Sequence, residues 1–427
     1  MTWKTATLGQ LADELGGTVQ TGPFGAQLHQ SDYREDGTPA IMPQNIVGDR
    51  IVTDSIARVD EAMVSKLSRH VLKVGDIIYP RRGDLNKRAL IGEEESGWLC
   101  GTGCIKISLP DDFIAPGYLF YHLKQPQVVR DIENNAVGAT MLNLSAAILK
   151  QIKIQYPDIT TQQRIAEILS NYDRLIDNNT RRIALLEESI HRLYKEWFVY
   201  LRFPGCDRVK VVDGVPEEWQ KKSIENLIGF HMGGGWGKEE QEEKHSAPGF
   251  VIRGTDIPGI SIGNISSVPF RYHQENNLRS RSLCDGDLIF EVSGGSKTHG
   301  VGRTLLVTEN LLSKFNGSVM CASFCKVIRP IERDLTEYLW CLLLAERDSG
   351  GLTEYESQSA SNIINFKFKE FLSNKLVLFP STQILQKFNE FVRPPLEQIH
   401  NLGFQNQKLC EARDLLLPRL MNGSIPV

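Results

Sequence analysis

VGDIIYPRRG (residues 74–83) and DGDLIFEVSG (residues 285–294) are one pattern written twice. Each has a Gly-Asp turn signal, a short apolar β-rich run, and a polar stretch ending in glycine, which predicts a turn feeding a strand. Working outward, the same order recurs on both sides. Trp3 opens a segment ending at Leu11, and Trp219 opens one ending at Leu227. PAIMPQNI (39–46) parallels residues 249–257, with Asn45 opposite Asp256. TGCIKISLP (102–110) lies over ASFCKVIRP (322–330), and Tyr118-Leu119-Phe120 over Tyr338-Leu339-Trp340. NLS at Asn143 lies near NII at Asn362, and ILKQIKIQYP (148–157) over FLSNKLVLFP (371–380). The order is collinear and the offset drifts only through loop insertions. A period of about half the chain means domain duplication rather than a solenoid.

After each mixed region, closed by Pro157 or Pro380, the apolar spacing changes to three and four. The first long helix is expected from a Thr160-Thr161 N-cap to about Tyr200, with Ile165, Ile168, Tyr172, Leu175, Ile183, Leu186, Ile190, Leu193 and Trp197 on its seam. The second carries Phe388, Phe391, Ile399, Leu402, Leu409, Leu416 and Leu420. Pro394-Pro395 should break or kink it, because proline removes a donor and crowds the preceding turn. Both helices exceed what one mixed domain can cover, and both seams are narrow. An intramolecular antiparallel pair is expected, up to about 58 Å long at ~1.5 Å per residue. The fold class is therefore α+β: two similar mixed α/β domains and a coiled-coil-like spacer of two long helices, related by a pseudo-twofold repeat. The divisions fall at 1–157, 158–203, 204–380 and 381–427.

Composition is that of ordinary globular protein: 427 residues, 41% hydrophobic, 23% charged, with 48 basic against 52 acidic residues. A formal charge of -4 excludes a generic polycation, so nucleic-acid binding would need local patches or a partner. No run reaches the roughly 20 apolar residues that span a bilayer, and residues 1–10 lack a signal-peptide pattern; the cytoplasm is the expected compartment. The eight cysteines include no C-x-x-C. Cys100/Cys104 and Cys321/Cys325 share a C-x3-C spacing without a second pair to complete a zinc site, and read as reduced thiols. No metal or catalytic set emerges. GGSKT (294–298) fails as a phosphate loop because Ser296 replaces the required glycine, and GGGWG (233–237) lacks the following Lys-Thr. Glu239, Glu240, Glu242 and Glu243 read as a solvated acidic loop. Duplicated modules on a rigid spacer, without catalytic residues, suit a ligand with two similar ends, as DNA half-sites are.

The chain resembles a type I restriction–modification specificity subunit over nearly its whole length. GPFG (22–25) with Leu28 resembles that family's early turn, and the two Gly-Asp strands its strand motif. Pro157 with QQRIAEIL (162–169) resembles the start of its conserved helix. Trp197-Phe198, Pro204-Gly205 and VPEEW (215–219) resemble the helix end and the entry to the second half. The second copy is weaker, at Ser381-Thr382-Gln383-Ile384. The resemblance implies that 1–157 and 204–380 are target recognition domains for the two halves of a split DNA site. It implies that the helices recruit two methyltransferase subunits and, through them, translocating endonuclease subunits. It implies no cofactor in this chain, with S-adenosylmethionine, ATP and Mg belonging to the partners. The alternatives are a non-catalytic scaffold whose duplicated domains bind proteins, and a hydrolase with an unrecognised site.

Base readout needs forked or amide donors. In the first half the candidates are Arg81, Arg82, Lys87 and Arg88 after the Gly-Asp strand, with a solvated loop as the other reading; Gln44 and Asn45, with turn capping as the equal alternative; and Thr140 and Asn143. In the second half, Arg253, Thr255, Ser293, Ser296, Lys297 and Thr298 take the matching places, and Ser359, Ser361 and Asn362 match the last loop.

Overall fold

The computed structural model describes residues 3–136, 143–295, 300–358 and 363–427. The chain forms two compact units: Met1–Leu175 with Leu409–Val427, and Ile176–Lys408. Both long helices contribute to both units.

In the first unit, Lys4–Thr7 pairs antiparallel with Lys153–Tyr156. A four-stranded sheet runs in the order Thr18–Thr21, Cys104–Ser108, Ile77–Pro80, Ala89–Leu90. A second runs Leu99–Cys100, Thr38–Ile41, Ala57–Val59, Tyr33–Arg34, with its first pair parallel. The second unit repeats this order. Gln220–Ser223 pairs with Leu376–Phe379. Ile228–Gly233, Cys325–Pro330, Leu288–Glu291 and Thr304–Leu306 form the four-stranded sheet. Ser318–Cys321 again pairs parallel with Ala247–Ile252, which also holds Phe270–His273. The duplication is thus one of sheet order, although among the described residues the second unit has no counterpart of Tyr33–Arg34 and adds a three-stranded sheet of Ser293–Gly295, Ile364–Phe366 and Glu356–Gln358.

The Gly-Asp signal works alike in both copies. Gly75 and Gly286 take φ of 88° and 86°, a conformation that favours glycine. The aspartate then accepts the backbone N–H three residues back: Asp76 from Lys73 at 2.9 Å, Asp287 from Cys284 at 2.8 Å. Both carboxylates are buried. Lys106 stands 3.7 Å from Asp76, and Arg329 grips Asp287 at 2.7 and 2.8 Å, which offsets the cost of burial. A tyrosine closes each unit the same way: the Tyr118 hydroxyl donates to the Gln155 carbonyl and that of Tyr338 to the Leu378 carbonyl.

The first long helix spans Ile159–Tyr194 and passes into a π-turn, Lys195–Val199. Its cap is Asp158, not the Thr160-Thr161 pair. The Asp158 carboxylate accepts from the Thr161 N–H at 3.0 Å and its hydroxyl at 2.8 Å, and these bonds hold its pKa below the usual carboxylate value. Gln162 of the QQRIAEIL stretch is fully buried and bonds the Ala115 N–H and the Pro157 and Phe113 carbonyls.

The second long helix spans Thr382–Met421 without interruption, through Pro394, Pro395 and Pro418. The expected break is absent. The carbonyls that lose donors to the first two prolines belong to Glu390 and Phe391, both solvent-exposed, where water can replace the missing bonds.

In the second unit the helices pair antiparallel: Asn179 donates to Asn406 at 2.9 Å, while Trp197 meets Phe388 with ring centroids 5.7 Å apart. Leu186, Ile190, Leu193, Trp197, Ile399 and Leu402 join the core built around Leu288, Phe290 and Tyr338. In the first unit Ile165, Ile168 and Leu416 pack with Tyr118 and Leu119, and Arg413 pairs with Asp173 at 2.5 Å. Tyr172 and Leu409 are half-buried. Leu175, expected on the seam, is 52% exposed, and Phe391 is exposed too. A stripe of period 3.5 drifts around a straight helix, so not every seam position stays covered.

Candidate nucleic-acid interface

The end of each Gly-Asp strand is a junction of three backbone segments. In the first unit the Arg81 N–H donates to the Gly103 carbonyl at 2.7 Å, the Leu144 N–H donates to the Arg81 carbonyl at 2.7 Å, and Arg82 bridges Asn143. In the second, Val292 N–H donates to the Phe324 carbonyl at 2.9 Å and Phe366 N–H to the Val292 carbonyl at 2.8 Å. The Ser293 hydroxyl donates to Asn365 Oδ1 at 2.7 Å. These bonds set the repeat register and make Asn365, not Asn362, the counterpart of Asn143. Sequence matching missed this because insertions lie in the same loop as the match.

The polar candidates differ in exposure. Arg82 is exposed in the first unit; Arg81 is half-buried, its Nε donating to the Leu144 carbonyl at 3.4 Å. Lys87 is partly exposed, and Gln44 and Thr255 are exposed. Asn143 and Ser293 are partly buried at the junctions themselves. Thr140, Ser296, Lys297, Thr298, Ser359, Ser361 and Asn362 lie outside the described residues.

Three candidates are spent on the fold. Arg88 is 2% exposed. It donates to the Leu123 and Asn86 carbonyls, and its guanidinium lies 5.3 Å from the centre of the Tyr79 ring. Asn45 is buried and caps its turn, accepting from the Met42 N–H at 3.0 Å and donating to the Val52 carbonyl at 3.2 Å. Its counterpart Asp256 does the same for the Arg253 N–H at 2.9 Å. The Arg253 guanidinium then closes on Asp256 at 2.8 and 2.7 Å. Burial opposes ionisation of Asp256, but the bonds from Arg253 and Ser267 prevail and hold its pKa down. Arg253 is therefore committed to its own turn, and a duplex would have to break a bidentate pair to recruit it.

No group of His, Cys, Asp and Glu suited to a metal is found among the described residues. Burial raises the Cys100 and Cys321 thiols to about 12, so both stay protonated near neutrality. No described helix is long and apolar enough to cross a membrane.

Residues 53–188 match the type I restriction modification DNA specificity domain. The type I restriction enzyme MjaIX specificity subunit of Methanocaldococcus jannaschii is 22% identical, covering 100% of this chain and 94% of that one. The HindI specificity subunit of Haemophilus influenzae is 22% identical over 84% of this chain and 88% of its own. A crystal structure of a type I restriction–modification S subunit from M. genitalium superposes with a TM-score of 0.60 at 15% identity, covering 98% of this chain and 96% of that one, which places the fold.

Proposed function

We propose that this chain, a member of the type I restriction–modification specificity family, serves as the DNA-recognition subunit of a modification and restriction complex. Each unit reads one half of a bipartite, asymmetric site, and the paired helices fix the gap between the halves. The observation that carries this reading is the contrast inside the repeat. The order of the four-stranded sheet and the strand-closing bonds are the same in both units, while the side chain opposite the matched junction asparagine differs, exposed Arg82 facing Asn143 against partly buried Ser293 facing Asn365. Two readers of different sequences require one scaffold with different tips.

The functional division follows 1–157 and 204–380 as target recognition domains, with 158–203 and 381–427 as spacer helices. The helices carry Leu175, Leu185, Phe391 and Leu415 exposed to solvent. Such residues on otherwise polar helix surfaces support docking of two methyltransferase subunits and, through them, of translocating endonuclease subunits. The chain itself performs no bond-making step; S-adenosylmethionine, ATP and Mg belong to those partners.

Methylation mapping of a host that expects no other modification system, with this chain and its methyltransferase co-expressed, should yield a split motif with a fixed gap. Exchanging residues 1–157 for another recognition domain should change one half of the motif and leave the other half and the gap intact. A change in both halves, or an unsplit motif, overturns the proposal.

A further inference from the structure

The glycines at 233–237, which fail as a phosphate loop, contain the second copy of GPFG. Gly22 N–H donates to the Cys104 carbonyl at 2.9 Å, and Gly234 N–H to the Cys325 carbonyl at 3.1 Å. A Cβ at Gly22 would stand 2.0 Å from the Gly101 carbonyl oxygen, and one at Gly234 2.2 Å from that of Cys321. Backbone cannot yield there, so only glycine fits. Gly25 and Gly237 close the turns at φ of 59° and 79°. Gly22-Pro23-Phe24-Gly25 and Gly234-Gly235-Trp236-Gly237 therefore leave matching strands in the same way, although Gly25 opens a 3-10 helix, Gly25–Gln27, and Gly237 leads into the Lys238–Tyr272 bridge. In each, the residue before the last glycine is a ring left in solvent: Phe24 is 61% exposed and Trp236 40%.

The turn itself needs its glycines, not its rings. Leaving the Phe24 ring largely in water forgoes much of a burial worth ~1.5–3 kcal/mol. Trp236, partly covered by Arg271, also keeps an exposed ring at the matching place. That place adjoins the candidate interface: the Gly103 and Phe324 carbonyls that anchor the Gly-Asp strand ends are next in sequence to the Cys104 and Cys325 carbonyls that anchor the ring turns. Exposed Arg82 supplies positive charge in the first unit. In the second, Arg271 lies 5.0 Å over the Trp236 ring, with exposed Lys238 and Lys244 nearby in sequence. The acidic run is also there, and cations hold part of it: Glu239 pairs with Arg271 at 2.8 Å, Glu242 with Lys238 at 3.6 Å.

We propose that Phe24 and Trp236 are matched ring contacts with duplex DNA, each packing against the bases at one step and carrying no base code, beside the polar groups that read sequence. Apolar side chains of this kind pack between bases and partly unstack them. The inference rests on the recognition reading above and deepens it.

The full chain, co-expressed with its methyltransferase partners, is titrated with a random-core duplex pool at fixed salt. Permanganate reactivity of thymines in the selected duplexes reports unstacking. Phe24→Ala and Trp236→Ala should each weaken binding by about 5- to 150-fold, the size of one base–ring stack, and each should remove one reactive step. Phe24→Trp and Trp236→Phe should retain both. Wild-type affinity in the alanine variants, while Arg82→Ala still weakens binding, overturns the ring contacts and leaves DNA recognition standing. Equal losses in the ring-keeping variants, with lowered unfolding temperature, indicate a merely structural role and overturn them as well. If the unaltered complex binds no duplex, the recognition reading itself falls.

Discussion

Arg82 and Arg88 follow the same strand, yet one is open to water while the other is buried on the Tyr79 ring with its N–H groups on two carbonyls. Arg88→Ala would strand the Leu123 and Asn86 carbonyls, at ~1–3 kcal/mol for each unsatisfied group. We expect Arg88→Ala to lower stability by about 2–6 kcal/mol. Arg82→Ala should change stability by less than about 0.5 kcal/mol and weaken DNA binding by ~1–3 kcal/mol if it reads a base. Chemical unfolding of both variants beside duplex binding at fixed salt separates the roles; DNA loss confined to Arg88→Ala would reverse the assignment. At this scale the sequence was only partly legible. A run of arginines declares charge but not partners, and burial is decided by residues far along the chain. Asn45 and Asp256 could be matched from sequence because a side chain that caps its own turn acts over three residues. The pairing of Asn143 with Asn365 could not, because only hydrogen bonds across the junction define it.

Among the elements, the Gly-Asp strands were readable because the turn demands a glycine with positive φ and an acceptor just after it, a local requirement. The helices were readable from their spacing, and their antiparallel pairing from the match of two narrow seams. The prolines do not break the helix, because their penalty depends on which carbonyls they orphan. At Pro394 the orphan is Glu390, in water. Pro394→Ala returns a donor to that carbonyl and relieves the crowded turn, against ~0.4–1 kcal/mol of added unfolded-chain entropy. A net gain of about 1–2 kcal/mol is expected, read as a higher midpoint of the second unit's unfolding; a loss would mean that the helix uses the proline for its shape.

For the whole molecule, the decisive fact is that the first unit is not continuous: Leu409–Val427 completes Met1–Leu175, whereas the second unit is the single stretch Ile176–Lys408. Leu417, Leu420 and Met421, at the far end of the second helix, are buried in the core that begins with Leu8 and Leu11. Three such side chains contribute about 5–9 kcal/mol at ~1.5–3 kcal/mol each, as much as the entire stability of many domains. A chain ending at Lys408 should therefore lose the first unit's cooperative transition in calorimetry. The second unit's core, which lies within residues 183–402, should keep its own. Survival of both transitions would show that the helix end is dispensable.

The same closure has a temporal side. As the polypeptide leaves the ribosome, the first unit emerges almost whole but unfinished, and the segment that seals it is translated only after the second unit. The second unit can settle while synthesis is still under way; the earlier-made one must wait, its apolar surface uncovered, and is the part of the nascent chain with most need of a chaperone's shelter.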